Sequence, residues 1–347
     1  MSVGSTNASG TQRGFHYQDF AALYLLILRI KEVEWINVEG QDDIDIRYED
    51  GSMHYFQVKE VKNIATQIPA SSVRDAIRVL SNDLESGQIN NEIPELAIVT
   101  NTSKPFGKTS ESVFDSSYMK VSFQNLSESN QKKIQKHFKD AKQENPKLFE
   151  TDFDPTQLTI VKIQYSGEDE ESRLQSLKDM VREFLVTAGI KPEQAPKLMN
   201  TWRLLISDST ENPTQVIDKQ QFAAHTEATL IDSPDFDTFF DEFNVEVETE
   251  ECIRNEYRDH LEIISHDYAV LSKITGGFSD FQKKTLGGLR HKELKNTFTN
   301  EFSKEILADL GLQDNEQDLE VSKLIIWLVI SKASYFKSVE EAIGLEN

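Results

Sequence analysis

The sequence predicts an α/β protein: a mixed-sheet core laid down as helix, three strands, helix, strand, followed by an all-α C-terminal domain. Three observations carry this expectation. Phe20, Leu23, Tyr24, Ile27 and Ile30 recur at helical spacing, ahead of three short strand-like runs at 35–39, 43–48 and 53–61. An amphipathic segment at 71–84, with Val73, Ile77, Leu80 and Leu84 on one face, then leads to the apolar strand Leu96-Ala97-Ile98-Val99-Thr100-Asn101. Beyond Glu251 the hydrophobic runs all have helical period.

The start of the chain to Arg13 is rich in Ser, Thr, Gly and Asn and lacks the apolar core of a signal peptide. Gly14-Phe15-His16-Tyr17-Gln18 opens the first helix, which is apolar nearly all round and expected to be largely buried. In the second strand Ile44 and Ile46 share one face, and Asp43 and Asp45 the other. In the third, Phe56 and Val58 oppose Tyr55, Gln57 and Lys59. A three-residue loop, Glu49-Asp50-Gly51 with Gly51 left-handed, pairs Ile44 with Phe56 and Asp43 with Gln57. A two-residue Asp50-Gly51 turn would pair Ile44 with Gln57 and mix the faces, so the longer loop is expected.

Residues 102–152 are polar and read as an insertion with a helical patch near 127–142. A strand at 158–163, helices at 170–188 and 195–207 and a short element at 215–222 complete a first domain, residues 1–225. The acidic stretch 232–251, with Phe236, Phe239, Phe240 and Phe243, reads as a packed linker. Helices at 253–272, 289–310 and 319–336 then form a second domain, 226–347, for assembly or partner binding. Gly276-Gly277 and Gly287-Gly288 neither follow a strand nor precede Lys-Ser/Thr, so they read as helix breaks rather than phosphate loops. His260 and His266 sit six apart on one helix, on different faces, which argues against a shared metal. Trp327, amid Ile325, Ile326, Leu328, Val329 and Ile330, fits either core or a subunit interface.

Charge narrows the classes of function. With 59 Asp and Glu against 37 Lys and Arg, the net charge of the 347 residues is −22. Such a field opposes free-standing, non-specific nucleic-acid binding, so a local groove or a partner must supply the attraction. Cys252 is the only cysteine, which excludes a disulfide framework and a Cys-based zinc site and points to the cytoplasm. The longest apolar runs, 20–30 and 324–330, are too short to span a bilayer, so no membrane association is expected.

The chemistry concentrates in Glu39-Gly40-Gln41-Asp42-Asp43-Ile44-Asp45 and Gln57-Val58-Lys59. The three-residue loop sets Asp43, Gln57 and Lys59 side by side on one surface. Asp43 and the Gln57 side-chain oxygen are suited to Mg²⁺, with the Val58 carbonyl as a further donor. Lys59 is suited to orient a water and stabilise charge on a phosphoryl group.

At these residues the chain resembles the PD-(D/E)XK nuclease superfamily in its Gln-Xaa-Lys form. More narrowly, it resembles the dsDNA endonuclease domain of CD-NTase-associated anti-phage effectors. The resemblance rests on Gly14-Phe15-His16-Tyr17-Gln18, Glu39 with Asp42-Asp43, Gln57-Val58-Lys59 and the strand end Val99-Thr100-Asn101, and extends more weakly to about His225. It implies a restriction-endonuclease-like core, with Asp43 as metal ligand, Gln57 in place of the usual acid, Lys59 as catalytic lysine and Gln18 as a supporting residue. It also implies Mg²⁺, or Mn²⁺ in its place, held by Asp43 and Gln57, with Glu39 or Asp45 completing the site. The implied activity is metal-dependent cleavage of double-stranded DNA in anti-phage defence. The implied partners are further copies of the chain, an SMC-like ATPase as in Lamassu-type systems, or a HerA-type translocase. The alternative is a non-catalytic DNA-binding or scaffold subunit that keeps the nuclease fold.

Overall fold

The computed structural model describes residues 8–86, 94–107, 112–149, 153–285 and 290–345. The chain forms two compact units: one runs through Glu183 and includes Arg203–Asp218, and the other comprises Phe184–Trp202 and the chain from Lys219 onward.

The first unit follows the expected order. It contains α1 (Ala8–Leu28), β1 (Val33–Val38), β2 (Ile44–Tyr48), β3 (Met53–Lys59), α2 (Ala70–Ser86) and β4 (Glu95–Thr100). Next come β5 (Tyr118–Ser122), α3 (Glu128–Glu144), β6 (Leu158–Ile163) and the short α4 (Glu170–Arg173). The helices α5 (Gln175–Thr187) and α6 (Ala195–Glu211) run through the division between units, and β7 (Ile217–Asp218) closes the sheet. The seven strands lie in the order β5-β6-β4-β3-β2-β1-β7. The central β3-β4 and β4-β6 pairs are parallel and the others antiparallel, so the sheet is mixed. Burial explains the central strands: Leu96, Ala97, Ile98 and Val99 of β4 are fully enclosed, as strands covered on both faces must be.

Helix α1 begins at Ala8, six residues before the expected start, and its Tyr17, Ala21, Ala22 and Leu23 have no exposed surface. The Tyr17 hydroxyl donates to the Ile163 carbonyl at 3.1 Å and ties α1 to β6. The hairpin register is the expected one, with Ile44 opposite Phe56. Its loop is Glu49-Asp50-Gly51, closed by Tyr48 N to Ser52 O at 3.0 Å, and Gly51 adopts φ 87°. The 102–152 stretch contributes more than a surface insertion. It carries β5, an edge strand that the sequence did not betray because only Val121 of its five residues is buried. It also carries α3, whose Ile134, Phe138 and Ala141 join Val73, Ile77 and Leu80 of α2 in one apolar cluster.

His54 on β3 makes the unit sensitive to acid. Burial pushes its imidazole down to about pKa 4, against the pull of Glu95. The 3.4 Å contact between His54 Nδ1 and Glu95 is therefore not an ion pair at neutral pH; Lys120 is the cation on that carboxylate, at 2.6 Å. Between pH 6.5 and 4 the unfolded chain binds the proton that the fold refuses, so this contribution is complete above pH 6.5 and is lost as pH falls through that window. Relative to His54→Gln, the wild type should lose stability, read from denaturation midpoints, worth at most about 3 kcal/mol on acidification through that window. The difference isolates His54 from the raised carboxyls of Asp19 and Asp45, which act in the opposite sense.

The second unit is helical: α7 (Lys219–Ile231), α8 (Phe236–Phe243), α9 (Val247–Ser265), α10 (Tyr268–Lys284), α11 (His291–Ile306) and α12 (Glu316–Ile343). The helix expected over 253–272 is two helices, because the Asp267 side chain caps the Val270 N–H and starts α10 afresh. Gly276-Gly277 does not break a helix. Both lie inside α10, where a Cβ on Gly277 would sit 3.2 Å from the Phe302 ring, so the glycine lets α11 approach. Gly287-Gly288 lies outside the described residues. The acidic Phe-rich stretch is a capped helix, α8, whose Phe239 and Phe240 are buried in the same apolar cluster as Ile325 and Ile326. Trp327 is half-buried against that cluster, its ring 5.7 Å from Phe239. Among the described residues no helix is long and apolar enough to cross a membrane.

Candidate active site

The site is assembled at the C-terminal end of β3, the 39–43 loop that precedes β2, and one turn of α1. Gln18 is buried on α1, and its Nε2 donates both to Glu39 Oε1 at 2.7 Å and to the main-chain oxygen of Asp43 at 2.9 Å. One amide thus clamps the two ends of the loop. Glu39 N donates to the same Asp43 oxygen at 3.2 Å, which closes the loop on itself. Glu39 adopts φ 60°, a left-handed conformation that costs a side-chain-bearing residue about 1–2 kcal/mol. Such strain persists only where surrounding bonds over-determine the backbone, and it concentrates at functional sites.

The loop is braced from beneath by Asp45. Its Oδ2 accepts from Gln41 N at 2.7 Å and its Oδ1 from Asp42 N at 3.1 Å. Burial pushes the Asp45 carboxyl up to about pKa 7, with the neighbouring Asp42 and Asp43 charges adding to the rise and the two N–H bonds opposing it. Gly40 is required here, since a Cβ would stand 2.6 Å from both Asn37 Nδ2 and Asp45 Oδ2. Asn37 Nδ2 in turn donates to the Pro213 carbonyl at 2.8 Å. Asp19, beside Gln18, is raised to about pKa 6 chiefly by burial, with a Thr210 hydroxyl bond pulling the other way.

Gln57 and Asp43 meet around the ammonium of Lys59. Lys59 Nζ lies 2.6 Å from Gln57 Oε1 and 3.4 Å from Asp43 Oδ2. Asp43 Oδ2 also accepts from Val58 N at 2.6 Å, so a backbone amide of β3 fixes the carboxylate. The exit of β3 is held by β4: Thr100 Oγ1 donates to the Lys59 carbonyl at 2.8 Å, and Asn101 bonds both Val61 N and Val61 O.

The partner of Gln57 differs from the expected one. Its Nε2 donates to Asp42 Oδ1, not to Asp43. Strand alternation assigns faces only inside β2, which begins at Ile44; residues 39–43 form a bend, where neighbouring side chains turn independently. The two adjacent aspartates therefore divide the work: Asp42 meets Gln57 while Asp43 meets Val58 and Lys59. The visible signal for Asp42 was the doublet itself, placed just before a strand. Of the two acids left open to complete the site, Asp45 has both oxygens committed to backbone amides, whereas Glu39 stands with Gln18 beside the Asp43 main chain. Among the described residues no group of three His, Cys, Asp or Glu side chains gathers as a metal cage.

Residues 8–212 match a protein family described as Cap4, dsDNA endonuclease domain, a span that contains Gln18, the 39–43 loop, Asp45, Gln57 and Lys59. No curated protein and no solved structure matches the chain.

Proposed function

The chain belongs to the Cap4 dsDNA endonuclease-domain family, and from that premise we propose that the 39–43 loop and the end of β3 form a Mg²⁺-dependent centre that hydrolyses duplex DNA in anti-phage defence. The observation that carries the reading is the position of Lys59: one ammonium held 2.6 Å from an amide oxygen and 3.4 Å from a carboxylate. Glu39, Asp43 and the Gln57 Oε1 are hard oxygen donors of the kind Mg²⁺ or Mn²⁺ prefers, and Asp43 Oδ1 is not spent on the bonds that hold Oδ2, so the donor set fits such an ion. When bound, the ion supplies a water of lowered pKa and neutralises charge on the phosphoryl group. Lys59 places its positive charge where negative charge develops, and it orients the attacking water. Val58 N–H and the Gln18 amide keep Asp43 and Glu39 aimed without rearrangement during the reaction.

The net charge of −22 works against capture of DNA by the chain alone. We read it as the property of a cytoplasmic effector to which DNA is delivered by assembly with its own copies, an SMC-like ATPase or a HerA-type translocase. The helical residues 226–347 are the part assigned to that assembly. Cleavage by the purified chain should be weak and should rise when the genuine partner is added.

The lack of a three-residue acidic cage among the described residues favours a second reading, a DNA-binding or scaffold subunit without catalysis. Metal binding separates the two. Mn²⁺ or Mg²⁺ should raise the melting temperature of the wild-type chain in a concentration-dependent way, and Asp43→Ala should remove that rise. A wild-type chain indifferent to both ions would favour the scaffold.

A further inference from the structure

We propose that Asp42 is a positioning residue that sets which way round the Gln57 amide lies, and so presents its oxygen to Lys59 and to the metal. A glutamine side chain carries a donor and an acceptor of nearly equal shape, and nothing in its own rotamers prefers one orientation. In this site the two ends have opposite partners. Nε2 donates to the carboxylate Oδ1 of Asp42, while Oε1 faces the Lys59 ammonium at 2.6 Å. A flipped amide would set an acceptor against a carboxylate and a donor against an ammonium, two repulsions in place of two attractions. Gln57 is 5 % exposed and Asp42 equally buried, so water does not relieve such a mismatch.

Asp42 is itself held for the task. Its N–H donates to Asp45 Oδ1 at 3.1 Å, and its Oδ1 also accepts from Asp43 N at 2.7 Å. A single carboxylate oxygen thereby joins the amide of Gln57 to the backbone of the residue proposed to bind the ion. The pairing also explains why an amide suits position 57. A carboxylate there would confront Asp42 with no proton between them.

The inference rests on the active-site reading for its consequence but not for its geometry, and the test keeps the two apart. Asp42→Ala and Gln57→Glu should each lower DNA cleavage and Mn²⁺ affinity by about 10–100-fold. Asp42→Asn, which still offers the amide an acceptor, should lose less. The combination Asp42→Asn with Gln57→Glu restores a donor facing an acceptor, with the roles exchanged, and should recover much of the loss of Gln57→Glu alone. A merely structural role for Asp42 would not produce that rescue.

Independently of catalysis, selective ¹⁵N labelling of glutamine side chains should show the Gln57 amide protons shifted and exchanging faster in Asp42→Ala. Unchanged Gln57 amide signals in a folded Asp42→Ala protein, or losses that simply add in the double variant, would overturn the proposal. If wild type cleaves no DNA and binds no metal, the nuclease reading falls, and the amide spectra still decide what Asp42 does.

Discussion

Lys59→Ala should reduce metal-dependent cleavage of duplex DNA by roughly a hundredfold or more, about 3 kcal/mol of lost transition-state stabilisation. The reason is local. The Nζ of Lys59 is the cation that touches both Gln57 Oε1 and Asp43 Oδ2, and no second lysine or arginine contacts either group among the described residues. Its removal leaves the amide and the carboxylate without a counter-charge and leaves the phosphoryl group without an electrostatic partner. The fold should survive, because the β3 backbone bonds to β4 do not use the side chain. Lys59→Arg keeps the charge but replaces a compact ammonium with a planar fork, so activity should remain well below wild type. The measurement is nicking or linearisation of supercoiled plasmid in Mg²⁺ and in Mn²⁺, with circular dichroism on the same samples. Undiminished cleavage by a folded Lys59→Ala protein would sink the site assignment.

The second large effect concerns Asp45, which touches none of the reacting groups. Asp45→Ala would remove the acceptor of the Gln41 and Asp42 N–H groups, both now bonded to its carboxylate. The buried Asp42 amide left without an acceptor costs about 1–3 kcal/mol, whereas Gln41 is exposed and its N–H can turn to water. With partial relief from burying a carboxylate, a net loss of about 1–2 kcal/mol is expected. The strained φ of 60° at Glu39 depends on the same closed loop. Cleavage should therefore fall together with stability, and the loss should persist at temperatures where the variant remains folded, because the loop no longer aims Asp43. Urea unfolding monitored by tryptophan fluorescence, paired with cleavage assays at low temperature, checks both parts. A variant of wild-type stability would show that the loop is held by something other than this carboxylate.

These two residues also mark how much of the site is legible in the sequence. Lys59 was visible because alternation in a strand, combined with one glycine in the turn, determines which residues share a face. The register Ile44 to Phe56 follows from Gly51 and the apolar pattern alone. Asp45 was legible only as a member of an acidic row. Its role as a brace is a matter of backbone amides in a bend, which leave no trace in residue type. The same limit hid β5, an edge strand with one buried side chain, and the break at Asp267 that divides one expected helix into α9 and α10. Gly276-Gly277 erred in the other direction. Glycine in a helix is costly in isolation, but here the packing of α11 needs the space it leaves.

The amino-acid sequence by itself determined the α/β class, the order of the core elements, the hairpin and its loop, and the shared face of Gln57 and Lys59. These depend on periodicity and turn chemistry, which act between residues close along the chain. Only the tertiary structure decided that Gln18 clamps Glu39 to Asp43, that Asp45 supports the loop from below, and that Asp42 rather than Asp43 meets Gln57. Those are hydrogen bonds made by side chains, to one another and to particular backbone atoms of the 39–43 bend. No periodic rule directs them, and they exist only once α1, the 39–43 loop and β3 have been brought together.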